Sequence, residues 1–252
     1  MTGHARALPP TSPFAGDDGA CDPALDAALA ALADGGPLED VVRVLSGVRV
    51  LVPVLAEHLP AATGGAVDSG GPADPFAERA ASAGVVALRA PDGRTALPVF
   101  SSVAALAAWR SHARPVPTAA PRAALAAVTE QWELVVLDPG GPVTALLPRP
   151  AVWALAQGLA WEPAVVGRGA ERRVAADVAV AVAGAVRDVR AVQAVTVEPG
   201  RRAEVAVVLT LETGLDRAGL DAALAEVNAA LAADATVAAR VDSLELVVRG
   251  GR

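Results

Sequence analysis

Apolar residues recur at helical and strand spacings between residues 23 and 161, and these spacings predict a mixed sheet with helices packed on it. Asp22 followed by Pro23 is typical of a helix start, and Gly35-Gly36 is typical of its end. The further predicted elements are a helix opened by Pro37, a strand over Val48–Leu55, a helix opened by Pro121, strands over Trp132–Leu137 and Val143–Leu147, and a helix over Ala151–Gln157.

The segment Gly84–Arg110, GVVALRAPDGRTALPVFSSVAALAAWR, has the most consistent local pattern. It predicts a strand, a turn at Pro91-Asp92-Gly93, a second strand ending at Phe100, and a helix that ends near Trp109. Ser101 or Ser102 is expected to cap that helix. The preceding residues 57–83 contain two Gly-Gly pairs and little pattern, so they are interpreted as a mobile loop.

The pattern changes after Trp161. Valines at spacings of four and three predict a helix over Val174–Val189. Two strands, Ala191–Val197 and Ala203–Leu211, a helix striped by Leu220, Leu224, Val227 and Leu231, and a strand over Leu244–Val248 complete an α-β-β-α-β order. We therefore expect an α+β protein with a disordered tail over residues 1–22, a mixed-sheet domain over 23–161, a linker over 162–173 and a smaller α-β-β-α-β domain over 174–252.

Composition and charge narrow the classes of function. The 252-residue chain has a formal net charge of −7 and neither half of it is basic, so nucleic acid and membrane surfaces are not expected as partners. The single cysteine, Cys21, rules out an intramolecular disulfide and fits a reducing compartment. The first residues have no signal-peptide pattern, and no apolar run is long enough to span a bilayer. These observations predict a cytoplasmic protein.

Missing residue types exclude several reactions. The sequence contains no lysine and no tyrosine, which excludes a Schiff base, a P-loop lysine and a phenolic acid. His4, His58 and His112 are scattered and do not have metal-ligand spacing. Cys21 falls in the predicted tail, away from any ordered base. We therefore assign no catalytic, cofactor-binding or metal-binding residue, and we expect no cofactor.

Two adjacent serines have the position of a nucleophile but not its motif. Ser101 and Ser102 follow a strand and precede a helix, as the serine of a G-x-S-x-G turn does. Their neighbours are Phe100 and Val103, however, and the glycines of that motif are missing. Helix capping is therefore the favoured interpretation for both serines.

Trp109, Arg110 and Arg114 form a candidate interaction surface at a helix end, beside a predicted proline-rich loop at residues 115–117. A tryptophan with neighbouring arginines is typical of a protein–protein contact, so a protein partner is expected. Core packing is the alternative interpretation for Trp109, because aromatic residues at helical spacing usually pack.

Several segments carry a resemblance to a known family: DPALDAALAAL, VRVLVPVLAE, the strand–turn–strand–helix segment above, and ELVVLDPGGPVTALLPRPAVWALAQG. Over roughly Pro23–Trp161 the chain resembles the N-terminal domain of SseB-family proteins, the enhanced serine sensitivity proteins. Its most specific part is the strand end Leu97–Ser101 with Trp109 closing the next helix. From Val174 onward the chain is similar to the family's C-terminal domain in the order of its elements. The resemblance implies a link to serine sensitivity but supplies no established catalytic residue.

Three functional hypotheses follow. The favoured one is a non-catalytic interaction or regulatory protein with an unidentified protein partner, because the side chains for covalent or acid–base chemistry are scarce. The first alternative is a binding protein for a small molecule, such as an amino acid, in a cleft between the two predicted domains. The second alternative is a hydrolase or transferase built on Ser101 or on scattered carboxylates, which an apolar pocket holding that serine near an aspartate or histidine would favour.

Overall fold

The computed structural model describes Phe14, residues 16–55 and residues 86–250 of the chain. The described residues form an α+β protein of two compact units, the first ending at Leu146 and the second beginning at Leu147. The predicted mobile loop at 57–83 lies outside the described residues, as does most of the predicted tail. Residues 162–173 belong to the second unit, and the domain boundaries stay a prediction.

The first unit contains a mixed sheet, as predicted. Its helices are α1 (Pro23–Ala33), α2 (Leu38–Leu45), α3 (Val103–Trp109) and α4 (Ala120–Thr129), and its strands are β1 (Arg49–Val54), β2 (Leu88–Arg89), β3 (Thr95–Val99), β4 (Arg114–Ala119), β5 (Leu134–Leu137) and β6 (Ala145–Leu147), which extends into the second unit by one residue.

The strands β2, β3, β5 and β6 form one sheet in that order, in which β3 and β5 are parallel. The chain leaves β3 through α3, β4 and α4 before it returns as β5, so both strands point the same way. Strands β1 and β4 form an antiparallel pair, and a single bridge between Leu51 and Phe100 joins β1 to the end of β3. The carboxyl ends of β3 and β5 therefore lie side by side.

Local signals for the starts of helices and turns are confirmed in this unit. Asp22 caps α1, since its carboxylate accepts the N–H groups of Ala24 and Leu25. Gly93 takes the left-handed conformation, with φ of +90°, in the turn between β2 and β3. Ser102 caps α3 by accepting the Ala105 N–H at 3.1 Å.

The residues predicted as a proline-rich loop form the strand β4 instead. Each of its six residues lies opposite a residue of β1, with Pro117 facing Leu51 and Pro115 facing Pro53. Among the described strands β4 has β1 as its only neighbour, and an edge strand tolerates proline because half of its backbone groups need no partner in the sheet. The loop prediction was wrong because proline is excluded from central strands but not from edge strands, and the local sequence does not show that β4 lies at an edge.

A compact apolar cluster holds α3 against β1. Phe100 and Leu106 are fully buried with Leu51, and Trp109 packs on them from the side. Phe100 is 0% exposed and its ring lies 5.2 Å from that of Trp109, centre to centre. This packing sets the direction in which the chain leaves β3, which in turn positions Ser101.

The second unit contains a three-stranded sheet in the order β11-β10-β9 with helices packed on it. Its elements are helix α5 (Arg149–Gln157), the short strands β7 (Val165–Val166) and β8 (Arg173–Val174), helix α6 (Ala176–Ala185), strands β9 (Val192–Pro199) and β10 (Val205–Leu211), helices α7 (Arg217–Ala233) and α8 (Ala235–Arg240), and strand β11 (Leu244–Gly250).

The predicted α-β-β-α-β order is confirmed in this unit, with three additions. The five valines that predict a helix, Val174, Val178, Val182, Val186 and Val189, are all buried in its core, but α6 spans only Ala176–Ala185 and Val174 lies in β8. The additions are the helices α5 and α8 and the antiparallel pair β7–β8, which lies largely within the predicted linker. The charged residues from Arg168 to Arg173 are exposed.

Candidate functional site

The ends of the two parallel strands bring a serine and an aspartate together. Ser101 follows β3 and Asp138 follows β5, and the Ser101 N–H donates to the Asp138 carboxylate at 2.8 Å. The Ser101 hydroxyl lies near that carboxylate and, as a hydrogen-bond donor, lowers its pKa. Both side chains are buried, at 5% and 6% exposure. Ligand sites of sheets with parallel strands characteristically lie at this edge.

The backbone at Asp138 is held in an unusual conformation. Its φ is +50°, in the left-handed region that non-glycine residues seldom adopt. Its carbonyl accepts the Thr144 hydroxyl at 2.9 Å and the Gly141 N–H at 3.0 Å, so the following loop closes back on it. Such conformations persist where surrounding contacts fix them, and they cluster at functional sites.

Burial changes the acidity of this carboxyl group. Removal from water raises the pKa of Asp138 above its ordinary value, and the two hydrogen bonds from Ser101 oppose that rise in part. A bound cation would favour the ionised form of the same group, because opposite charges stabilise each other most strongly away from water.

The segment that precedes α1 brings Cys21 into the same pocket lining as this pair. The Cys21 thiol is partly buried and donates to the Asp22 carbonyl at 3.5 Å. Burial raises the pKa of the thiol, and the negative charges of Asp26 and Asp138 raise it further. The thiol is therefore held in its neutral form, which is a weak nucleophile. Cys21, predicted to lie in a disordered tail, lies in an ordered segment.

Arg49 fastens that segment, residues 16–22, to the strand ends. Its guanidinium forms an ion pair with Asp17 at 2.6 Å and donates to the backbone carbonyls of Ser101 and Ala20. The side chains of Arg49 and Asp17 are only 13% and 14% exposed. The guanidinium lowers the pKa of Asp17, chiefly by hydrogen bonding, so the pair is ionised at neutral pH.

A close approach to α3 fixes the same segment from the other side. The Gly19 carbonyl accepts the Val103 N–H at 2.9 Å, and Gly19 has φ of +78°. A Cβ atom at Gly19 would lie 2.6 Å from a methyl group of Val103, which is closer than van der Waals contact allows. Glycine is therefore required where the segment crosses the beginning of α3.

Residues at the ends of β3 and β5, in the helices α1 and α3 and in the loop after β5 enclose a pocket of about 340 Å³, which we call the β3–β5 pocket. Its polar and charged side chains belong to Cys21, Asp26, Ser101, Ser102 and Asp138. The remaining walls are mainly apolar and come from α1, α3 and the loop after β5: Leu29, Ala30, Ala105, Ala108, Trp109, Pro139, Gly140, Gly141, Pro142 and Val143. The volume is at the small end of the range for ligand pockets.

The candidate interaction surface of the sequence analysis divides in the structure. Trp109 packs on Phe100 and also lines the β3–β5 pocket. The Arg110 guanidinium lies 4.4 Å from the centre of the Trp109 ring, whereas Arg114 lies exposed on β4. The core interpretation of Trp109 agrees with its packing on Phe100, and the contact interpretation stays a prediction.

The geometry distinguishes the roles of the two serines and adds Asp138 to the site. Capping explains Ser102 but not Ser101, whose hydroxyl is turned to Asp138. Sequence reasoning did not single out Asp138 at all. The available signal was a carboxylate directly after an apolar strand and before Pro139-Gly140-Gly141, but its importance depends on the parallel pairing of β3 with β5.

The comparison with known proteins concerns mainly the first unit of the chain. The family profile of the SseB protein N-terminal domain matches residues 25–154, more than half of the chain. The chain belongs to the SseB family. No curated protein and no solved structure matches it in the corresponding searches. The SseB domain match includes Ser101, Trp109 and Asp138, whereas Cys21 precedes it.

Neither a metal site nor a membrane-spanning helix is found in the part of this SseB-family protein that the structure describes. Within the described ranges, no group of three or more histidine, cysteine, aspartate or glutamate residues is arranged to hold a metal ion. None of the helices in those ranges combines the length and apolar character that crossing a bilayer requires.

We expect Asp17→Asn to destabilise the protein by about 2 kcal/mol, because it leaves a largely buried arginine without its counter-charge. Asp40→Asn is the matched control: it removes an exposed partner of Arg43, 2.6 Å away, and should cost less than about 0.5 kcal/mol. Urea unfolding at neutral pH measures both. Equal effects of the two substitutions would contradict a special role for the Arg49–Asp17 pair.

We expect Asp138 to make stability depend on pH in a defined direction. A raised native pKa means that its contribution is full below about pH 3.9 and is lost as the pH rises through the native value. Asp138→Asn removes this titration and keeps an oxygen for the Ser101 N–H. The unfolding free energy of the wild type minus that of the variant should therefore fall between about pH 4 and neutrality. A difference that stays constant or rises across this pH range, measured by urea unfolding, would contradict a raised native pKa of Asp138.

Proposed function

We propose that this SseB-family protein is a non-catalytic binding module that takes a small polar ligand in the β3–β5 pocket. The carrying observation is the meeting of buried Ser101 and Asp138 at the carboxyl ends of two parallel strands, at the wall of a pocket of about 340 Å³. A few convergent polar groups within apolar walls are typical of ligand pockets. A regulatory role is consistent with such a site, because a ligand stabilises the form that binds it.

Binding fits the surroundings of Ser101 better than covalent chemistry does. A serine nucleophile needs a base that can take its proton, and histidine is the usual one. The described lining of the pocket contains no histidine, so Asp138, whose position beside Ser101 favours the hydrolase or transferase alternative, would have to act as the base without one. The neutral Cys21 thiol is a weak nucleophile for the reason given above. The hydrolase or transferase alternative is therefore not the one we propose.

A substitution that fills the pocket tests this function. Ala108 is an exposed residue of α3 that lines the pocket, and Ala107 is its exposed neighbour that does not. In a thermal-shift screen of small amines, carboxylates, amino acids and sugars, a ligand at 100 times its dissociation constant stabilises the wild type by about 2.7 kcal/mol. We expect Ala108→Phe to lose this shift and Ala107→Phe to retain it.

Two results of that screen would overturn the proposed function. One is a set of ligands that bind Ala108→Phe as tightly as the wild type, because they would occupy another place. The other is the lack of any ligand that distinguishes Ala108→Phe from Ala107→Phe, confirmed by isothermal titration at millimolar concentrations.

A protein contact at Trp109 is the second candidate function, and the stacking of Arg110 on the ring favours it. Arginine and tryptophan are enriched among residues that contribute most to binding at interfaces. Arg110→Ala should weaken a purified partner's affinity by about tenfold or more, whereas Arg122→Ala, an exposed arginine of α4, should leave it unchanged. Equal affinities for both variants, measured by titration, would sink this candidate.

We place this activity in the cytoplasm. The single cysteine supports that location, because secreted proteins of this size commonly use disulfides and this chain cannot form one internally. Fractionation of the source cells, followed by detection of the protein, tests the location.

A further inference from the structure

The charges around the β3–β5 pocket restrict what can bind there. Its charged lining residues are Asp26 and Asp138, and the described lining contains no arginine or histidine. The sequence has no lysine, so no side chain of the protein carries an ammonium group. The fixed charge that faces the pocket is therefore negative.

Two arginines that contact lining residues of the pocket are engaged in other interactions. Arg49 uses its guanidinium on the Asp17 carboxylate and on the carbonyls of Ala20 and Ser101. Its positive charge is thus matched by Asp17 within 2.6 Å. Arg110 lies over the Trp109 ring and is not one of the lining residues. Neither arginine presents a free guanidinium to the pocket.

The Cys21 thiol reports the balance of these charges. Asp26 and Asp138 both raise its pKa, and Arg49 lowers it by a smaller amount than either aspartate raises it. Both carboxylates of the lining therefore act on the thiol beside them.

The oxygen atoms of the site suit a hydrogen-bond donor. Ionised Asp138 and Asp26 only accept hydrogen bonds, and the hydroxyls of Ser101 and Ser102 accept as well as donate. Around them stand apolar surfaces from Leu29, Ala105 and Val143. An ammonium group offers three donors and a positive charge, and an alkyl chain attached to it would contact these apolar surfaces.

We infer that the β3–β5 pocket binds an organic ammonium group carried on a short apolar chain, and not an anion or a zwitterion. The inference rests on the proposed function and narrows its ligand class. An α-amino acid fits less well, because its carboxylate would have no cationic partner in the described lining and would face Asp26 and Asp138. The ammonium group can belong to a free amine or to a lysine side chain of another protein.

Three probes of similar size separate the charge types in titrations of the full chain. They are n-butylammonium chloride, sodium butanoate and norvaline, used at matched ionic strength. We expect butylammonium to bind at least about tenfold more tightly than the other two, and added salt to weaken it. Tighter binding of butanoate or norvaline at a site blocked by Ala108→Phe would overturn the inference and leave the proposed function standing. If no probe and no compound of the library binds at a site that Ala108→Phe blocks, both the inference and the proposed function are overturned.

Aspartate substitutions provide the second arm. Asp26→Asn changes an exposed residue of α1 and so should not impair folding, but it removes a pocket charge and should weaken butylammonium about fivefold. Asp34→Asn, at the other end of the same helix and also exposed, is the matched control and should change nothing. Asp138→Asn should weaken binding further. Equal affinities of wild type, Asp26→Asn and Asp138→Asn would refute the inference.

A last arm separates the two sources of the ammonium group, given that butylammonium binds. The probe is the blocked tripeptide acetyl-Gly-Lys-Gly-amide, whose only charge is the lysine ammonium. Affinity equal to or higher than that of butylammonium supports a lysine of a protein partner, and lower affinity supports a free amine. Both results support recognition of an ammonium group, whereas equal affinity for acetyl-Gly-norleucine-Gly-amide, which has no charge, would contradict it.

Discussion

The hydrogen bond from the Ser101 N–H to the Asp138 carboxylate joins two strands that the chain connects only through α3, β4 and α4. Both groups are buried, so separating them would leave an unpaired N–H or a solvent-free carboxylate, and each of these is costly. The parallel pairing of β3 with β5 sets the spacing of their ends, and this bond fixes Ser101 against Asp138 there. The polar wall of the pocket depends on this arrangement.

The site is supported on two sides by contacts that do not themselves line it. On one side, the buried ring of Phe100 holds α3 and Trp109 against β1. On the other, Arg49 joins residues 16–22 to the Ser101 carbonyl. A pocket built in this way is preorganised, so a ligand need not supply the free energy that orders its walls.

The electrostatic character of the pocket follows from pairing. The positive charge of Arg49 is paired with Asp17, and neither residue lines the pocket. The charged groups of the described lining are therefore Asp26 and Asp138. Arg49 and Asp17 neutralise each other behind the wall of the pocket, whereas the two carboxylates of the described lining have no cationic partner in it. The net charge of this lining is therefore negative. This sign, and not the presence of a serine, is the property of the site that most restricts its chemistry.

The sequence by itself determined the secondary structure and the class of the fold, because helix caps such as Asp22, the turn at Gly93 and the valine stripe of α6 act over a few residues. It also supported the family assignment. It missed β4, where prolines are tolerated only because the strand lies at an edge, and it missed Asp138 and the ordering of Cys21. Those features depend on residues far apart in the chain: Ser101 and Asp138 are 37 positions apart, and Arg49 and Asp17 are 32 apart. Only the parallel pairing of β3 with β5 and the packing of residues 16–22 bring such groups together, because buried charge and hydrogen bonding act through space and not along the sequence.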